Sequence, residues 1–164
     1  DYGALGQALA GMPDNGPWLF VALVLVLTGM GYKIAMVPFH MWSPDVYEGA
    51  PLPITAFLAV GSKAAGFAML VRFFYPGLSV LGVGGQWTTL AAVDWPSLMV
   101  VVSMVTMTLG NLAALRQDNV KRLLAYSSVA HAGYILMGFV VLNNEGLRAM
   151  LVAVRPFADV GRGA

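Results

Sequence analysis

The chain has 164 residues, of which 59% are hydrophobic and 10% are charged, whereas a soluble domain carries about 25% charged residues. This composition predicts an all-α, polytopic membrane protein, and the net charge of +1 predicts no nucleic-acid partner. Because cysteine is absent and only two histidines occur, disulfides, thiolate metal sites and histidine metal clusters are excluded.

The opening segment, residues 1–17, is predicted to be an extramembrane loop. The chain starts at Asp1, and this segment lacks the basic region and the apolar core that together make a signal peptide. We therefore expect the sequence to be an internal fragment of a longer protein.

Four apolar runs are long enough to cross a bilayer, which takes about 20 residues of helix. They predict a membrane helix bundle over residues 18–142. The predicted spans are residues 18–42, 54–74, 97–115 and 123–142. A fifth apolar run, Ala149–Val154, is only six residues long before a basic residue and a proline follow. Residues 143–164 are therefore predicted to be a loop and a short tail.

The charges in the loops predict the orientation of the bundle. The link between the third and fourth spans, Arg116–Arg122, contains three basic residues, whereas the glycine-rich link Tyr75–Pro96 contains a single charge, Asp94. Basic loops remain on the cytoplasmic side, so the Arg116–Arg122 link is predicted to be cytoplasmic. Alternation along the chain then places the Ser43–Pro53 link on the same side.

The first span carries a lysine close to a proline. Lys33 lies in WLFVALVLVLTGMGYKIAMVPFHMW, and a charge at membrane depth costs about 2.5–3.5 kcal/mol and usually marks an ion or proton path. Pro38 lacks an amide hydrogen and clashes with the preceding turn, so the helix is predicted to break there, as helices of transporters do. His40 would share a face with Lys33 across a mild kink. The alternative is that Pro38 only ends the helix and Lys33 reaches outward.

A second lysine, Lys63, is the tenth residue of its predicted span and so lies near the bilayer centre. Its neighbours in VGSKAAG are small, which permits close helix approach and leaves room for water. Two deep lysines within reach of each other would form a coupled pair that can hold and pass a proton. A purely structural lysine is the less favoured alternative.

The fourth span places polar side chains on one helical face. Ser127 and Ser128 precede His131 by four and three residues, and Tyr134 follows it by three. Histidine titrates near neutral pH, so this face could relay protons. A hydrogen-bonded cluster between helices explains the same pattern equally well.

Two carboxylates, Asp45 and Glu48, stand three residues apart in SPDVYEGAP. They are weaker candidates for the mouth of a proton path. A solvated loop, or a salt bridge to Lys121 or Arg122 across the cytoplasmic face, is the favoured interpretation.

Three segments carry a family resemblance: KIAMVPFHMWSPDVYEGAPLP, AFLAVGSKAAGFA and GNLAALRQDNVKRLLAYSSVAHAGY. In this order they resemble the antiporter-like, proton-translocating membrane subunits of respiratory complex I, in particular the subunit N (chain 2) type of NADH–quinone oxidoreductase. The resemblance covers residues 19–142. The tail after GLRAM departs from the family pattern.

The resemblance implies a larger bundle with two inverted repeats, each containing a broken helix. Lys33 would be the lysine of the first broken helix, and Lys63 the lysine of the helix that follows. His131 would lie on the central hydrophilic axis. The family's glutamate on an earlier helix, and its lysine or glutamate on the second broken helix, have no counterpart in this sequence.

The function implied by the resemblance is that of a non-redox, proton-pumping subunit of NADH:quinone oxidoreductase. Its partners would be lipid and the other membrane-arm subunits of complex I, in a bacterial cytoplasmic membrane or a thylakoid or mitochondrial inner membrane. NAD, FMN, quinone and iron–sulfur clusters would belong to partner subunits, and this chain would hold no cofactor. The alternatives are a subunit of a related sodium/proton antiporter or membrane-bound hydrogenase, and a passive membrane scaffold.

Overall fold

The computed structural model of the chain describes residues 16–81, 87–89, 94–141 and 144–159. The elements in chain order are α1 (Gly16–Ile34), α2 (Trp42–Gly49), α3 (Leu52–Phe57), a π-helical segment (Leu58–Ser62), α4 (Lys63–Leu78), β1 (Ser79–Leu81), β2 (Trp87–Thr89), α5 (Trp95–Ala114), α6 (Val120–Val140) and α7 (Asn144–Asp159). All but the last two residues of the predicted opening loop lie outside the described residues.

Four helical stretches are long and apolar enough to cross a membrane, which confirms the predicted four-span, all-α architecture. They are Pro17–Ile34, Leu52–Leu78, Trp95–Ala114 and Val120–Val140. Many large apolar side chains point away from the bundle, among them Trp18, Phe57 and Leu112. Such outward apolar surfaces suit helices whose surroundings are lipid or other apolar helices.

The first span is broken between α1 and α2, and the break begins three residues before Pro38. Ala35 has a φ of 59°, a left-handed conformation that costs about 1–2 kcal/mol for a residue other than glycine. The amide of Met36 donates to the Gly31 carbonyl at 3.0 Å, and the amide of Ala35 donates to the Tyr32 carbonyl at 3.2 Å. This pair of bonds is a Schellman motif, so the helix ends at Ile34 through its own cap.

The backbone freed by the break is bound by a neighbouring span and by a side chain of α2. The buried amide of Val37 donates to Thr106 Oγ1 of α5 at 3.1 Å, and Trp42 Nε1 donates to the Tyr32 carbonyl at 2.8 Å. A backbone amide left unpaired at membrane depth is strongly unfavourable. These two bonds therefore hold the broken span in place.

Helices α5 and α6 pack closely because small residues line their contact. A Cβ on Gly110 would lie 2.7 Å from the Ala130 backbone nitrogen, and the Ser103 hydroxyl donates to the Gly133 carbonyl at 2.7 Å. Small residues are the usual means of close approach between membrane helices. This pair positions the polar face of α6.

Aromatic side chains fill the space around the C-terminal end of α6. Phe74, Tyr75, Trp95 and Phe139 are each at most 2% exposed, with ring centroids 4.9–6.5 Å apart. Beyond α4 the chain forms a two-stranded antiparallel sheet of β1 and β2. This part of the predicted external link is therefore ordered against the aromatic core.

The predicted loop and tail after residue 143 is instead helical from Asn144 to Asp159. The sequence expectation was wrong because it considered only the length of the apolar run. Met150 is 2% exposed and Leu147 packs against the core. Glu145 and Arg148 are exposed, and Arg148 Nη1 lies 3.6 Å from Glu145 Oε1. Helix α7 therefore packs on the bundle through its apolar face.

Candidate functional site

A stretch of π-helix lies directly before Lys63. It covers Leu58–Ser62 and joins α3 to α4 within the second span. π-helical turns are rare, are less stable than α-helix and occur frequently at functional sites. The turn changes the angular position of every residue that follows relative to the preceding helix. Apart from the small residues around Lys63, no feature of the sequence indicated it.

Lys63 is buried, with 6% of its surface exposed. Its Nζ donates to the Ser128 hydroxyl at 2.6 Å and to the Ser128 carbonyl at 2.9 Å. Within the described part of the chain, no carboxylate lies within salt-bridge distance of this nitrogen. A buried amine held by neutral acceptors can lose its proton without leaving an unpaired carboxylate behind.

A cavity of about 420 Å³ opens beside Lys63. Most of its lining is apolar, and the polar members are Tyr47, Thr55, Lys63, Ser127, Ser128 and His131. Water in a space of this size would bind at these polar groups. The structure thus brings Lys63 together with the predicted polar face of α6.

His131 lies at the exposed rim of this cavity. Its ring centroid is 5.8 Å from that of Tyr134, and the Tyr134 hydroxyl accepts a hydrogen bond from Asn111 at 2.8 Å. The residues of the predicted cluster therefore divide between two environments. Ser127, Ser128 and His131 face the cavity, whereas Tyr134 bonds to α5.

Tyr47 of α2 also lines the cavity, and it was not among the site residues predicted from the sequence. Its side chain is 2% exposed, and its hydroxyl lies beside the hydroxyls of Ser128 and Ser43. Burial raises the pKa of this phenol, while the two serine hydroxyls act in the opposite direction. The motif SPDVYEGAP contains this tyrosine, but the motif was considered only for its carboxylates.

Lys33 is exposed at the end of α1 and lies outside the cavity. Its stem packs on α4, with its Cγ 3.5 Å from the point that a Cβ on Gly66 would occupy. The two lysines thus lie on helices in contact, but Lys33 points out of the described bundle.

His40 lies half-buried within the break of the first span. Its Nδ1 has no hydrogen-bond partner among the described residues, and its ring centroid lies 6.4 Å from that of Tyr126.

Asp45 and Glu48 form an ionic cluster with the N-terminal end of α6. Arg122 Nη1 lies 2.8 Å from Asp45 Oδ1 and 2.8 Å from Glu48 Oε2. The other Glu48 oxygen accepts from Asn119 at 2.8 Å, and the Glu48 carbonyl accepts from Lys121 at 3.1 Å. This confirms the salt-bridge interpretation of the two carboxylates and joins α2 to the link before α6.

Comparison with curated proteins gives the family. Residues 4–158 match the family described as NADH:quinone oxidoreductase/Mrp antiporter, TM. The chain is 56% identical over 146 residues to NADH-quinone oxidoreductase subunit N 2 of Chloroherpeton thalassium, covering 89% of this chain and 28% of that protein. It is 49% identical over 169 residues to NADH-quinone oxidoreductase subunit N of Desulforamulus reducens, covering 98% and 33%.

Two solved structures have the same fold. A chain of respiratory complex I from Thermus thermophilus is 37% identical, with a TM-score of 0.63, covering 96% of this chain and 35% of that one. A chain of the archaeal membrane-bound sulfane sulfur reductase is 28% identical, with a TM-score of 0.59, covering 87% and 29%. The chain therefore spans about a third of the length of these relatives.

The family match corrects the expectation for the tail, because it continues to residue 158 and includes the helix α7 that departed from the recognised pattern. It covers all four spans and both lysines. The chain is a multi-pass membrane protein that belongs to the NADH:quinone oxidoreductase/Mrp antiporter transmembrane family.

Proposed function

We propose that this chain is part of a proton-translocating membrane subunit of an NADH–quinone oxidoreductase, and that Lys63 carries the proton. The observation that supports this most directly is the placement of Lys63. It is buried, it bonds to neutral acceptors of Ser128, and it lies beside a cavity of about 420 Å³ whose lining includes several polar side chains. Ionisable residues buried within membrane spans typically mark ion pathways and proton relays.

In this proposal each residue has a separate task. Lys63 binds and releases the proton, and the Ser128 hydroxyl and carbonyl stabilise its protonated form through charge-assisted bonds. His131, at the rim of the cavity, exchanges protons with water there. Lys33 faces away from the described bundle, so it would serve a proton site completed by helices outside this sequence.

The driving force would come from other subunits. NAD, FMN, iron–sulfur clusters and quinone would bind to partner subunits, and this chain would act without a redox group of its own. The partners are the other membrane-arm subunits of the complex, in lipid. The cytoplasmic membrane of a bacterium is the expected location, since the curated relatives named above are bacterial.

The test is the substitution of each lysine in the full-length subunit within its complex. In sealed membrane vesicles, Lys63→Ala should abolish NADH-driven proton translocation through this subunit, and Lys33→Ala should impair it. The matched control is Arg72→Ala, which removes an exposed cation from the same helix as Lys63. Protons translocated per electron are measured by the quenching of a pH-sensitive dye.

The alternative functions, a sodium/proton antiporter and a passive scaffold, would each give a different result in the same vesicle assay. Normal proton-to-electron stoichiometry in both lysine variants would rule out the proposed role. Sodium-dependent exchange without NADH would identify an antiporter. Loss of assembly without loss of pumping by the assembled fraction would identify a scaffold.

A further inference from the structure

Two buried hydroxyls of α2 lack good hydrogen bonds. Among the described residues, neither Tyr47 Oη nor Ser43 Oγ has a partner of acceptable geometry, although Tyr47 is 2% exposed and Ser43 is fully buried. Buried polar groups are nearly always satisfied, and exceptions call for an explanation. Both hydroxyls belong to α2, and Tyr47 reaches the same cavity as Lys63.

These hydroxyls continue a row that starts at Lys63. Lys63 Nζ lies 2.6 Å from Ser128 Oγ. The Tyr47 hydroxyl is near enough to those of Ser128 and Ser43 to interact with them, although it makes no well-formed hydrogen bond to either. The order is therefore Lys63, Ser128, Tyr47, Ser43. Each hydroxyl can donate one hydrogen bond and accept others at the same time, which is what stepwise proton transfer needs.

The far end of the row leads toward charged residues. Ser43 lies two residues before Asp45 on α2, and Asp45 and Glu48 bind Arg122 at the surface of the bundle. The side chain of Asp45 is 71% exposed. Ser43 is fully buried, so the row ends inside α2, the helix whose exposed side carries these charges at the end of the bundle that was predicted to be cytoplasmic.

We propose that Tyr47 is a proton-relay residue, which together with Ser128 connects Lys63 to the α2 end of the bundle. The inference rests on the proposed function and adds a route to it. In one transfer, the Nζ–H bond of Lys63 breaks as a proton joins Ser128 Oγ. Ser128 passes its own proton to Tyr47, Tyr47 passes its proton to Ser43, and Ser43 releases its own proton to water. Each oxygen gains and loses one proton, and the amine is left neutral.

The competing explanation is that Tyr47 only fills space between α2 and α6. Its ring lies 6.5 Å from that of Trp42, so the geometry is also compatible with a packing role. The two explanations differ in the hydroxyl, because packing depends on the ring and the relay depends on the oxygen. Tyr47→Phe keeps the ring and removes only the oxygen.

The experiment compares two pairs of variants in the full-length subunit within its complex. Tyr47→Phe is matched by Tyr75→Phe, which removes a buried phenol that bonds to the Phe139 carbonyl at 3.0 Å. Ser128→Ala is matched by Ser103→Ala, which removes a buried serine hydroxyl bonded to the Gly133 carbonyl. NADH-driven proton translocation in sealed vesicles is normalised to the amount of assembled complex, in H₂O and in D₂O.

We expect Tyr47→Phe and Ser128→Ala to slow proton translocation about tenfold. A positioned proton carrier contributes about 10²–10⁴-fold, and water in the cavity would replace part of that. The solvent isotope effect should rise in both, since proton transfer becomes rate-limiting, and it should not change in the two controls. Ser128→Thr, which keeps a hydroxyl, should restore most of the rate.

Translocation at the wild-type rate in Tyr47→Phe, with an unchanged isotope effect, would overturn the relay. If Tyr47→Phe fails to assemble, the comparison of Ser128→Ala with Ser128→Thr tests the relay instead. Equal translocation rates in these two variants would also overturn the relay. Failure of the relay and failure of the proposed function are separate results. If Lys63→Ala abolishes pumping but Tyr47→Phe pumps normally, only the relay is ruled out. If Lys63→Ala and Lys33→Ala both pump normally, the proposed function itself is ruled out.

Discussion

Tyr75 and Tyr47 are equally buried, at 2% exposure each, but their hydroxyls have different surroundings. Tyr75 donates to the Phe139 carbonyl at 3.0 Å within the aromatic cluster. Tyr47 lines the cavity beside Lys63, and its hydroxyl lacks a good hydrogen bond among the described residues. Helix α6 contacts both tyrosines, through Phe139 near its C-terminal end and through Ser128 nearer its N-terminal end.

The difference shows how one helix can serve two purposes. Around Phe139 the bundle is filled by rings with satisfied backbone groups, which is typical of a stabilising core. Around Ser128 it holds a buried amine and a cavity, which lowers stability unless water or other polar groups compensate. We therefore expect substitutions near Phe139 to change stability most, and those near Ser128 to change proton translocation most.

The largest effect on stability is expected from Phe139→Ala. Phe139 is fully buried among Phe74, Tyr75 and Trp95, and truncation of a buried phenylalanine lowers the free energy of unfolding by about 3–5 kcal/mol. Thermal unfolding in detergent measures the loss. The control is Phe20→Ala, at a side chain that is 53% exposed. Equal shifts in the two variants would contradict the assignment of the aromatic cluster as the core.

A smaller loss is expected from Thr106→Val, at the break in the first span. The substitution keeps the shape of the side chain but leaves the buried Val37 amide without its acceptor, which costs about 1–3 kcal/mol. The matched control is Thr108→Val, since the exposed Thr108 bonds only to the Met104 carbonyl of its own helix. If both variants unfold at the same temperature, Thr106 does not hold the break.

The four spans were predictable because the length of an apolar run is a local property of the sequence. The shared face of Ser128 and His131 was predictable for the same reason, since it depends only on spacing along one helix. The salt bridge of Glu48 to Arg122 was predicted among the alternatives, because opposite charges lay on two links expected at the same membrane face.

The contacts that were missed join residues far apart in sequence. Tyr47 meets Ser128, and Val37 meets Thr106, only because the break turns the chain between α1 and α2. The start of that break was itself hidden, because alanine rather than glycine occupies the left-handed position at Ala35. A proline three residues later was the visible signal, and it placed the break too late.

The smallest effect on stability is expected from Glu48→Gln, in the ionic cluster opposite the aromatic core. The substituted side chain would keep a bond to Asn119 but lose its charge opposite Arg122. Partly exposed ion pairs contribute little, and salt screens them. The unfolding temperature should fall by at most about 2 °C, and high salt should remove the difference from the wild type. Glu145→Gln, at the more exposed pair with Arg148, should change it less. A difference that persists in high salt would mean that Glu48 acts through its hydrogen bonds, and would make the charged end of the bundle a structural element like the aromatic end.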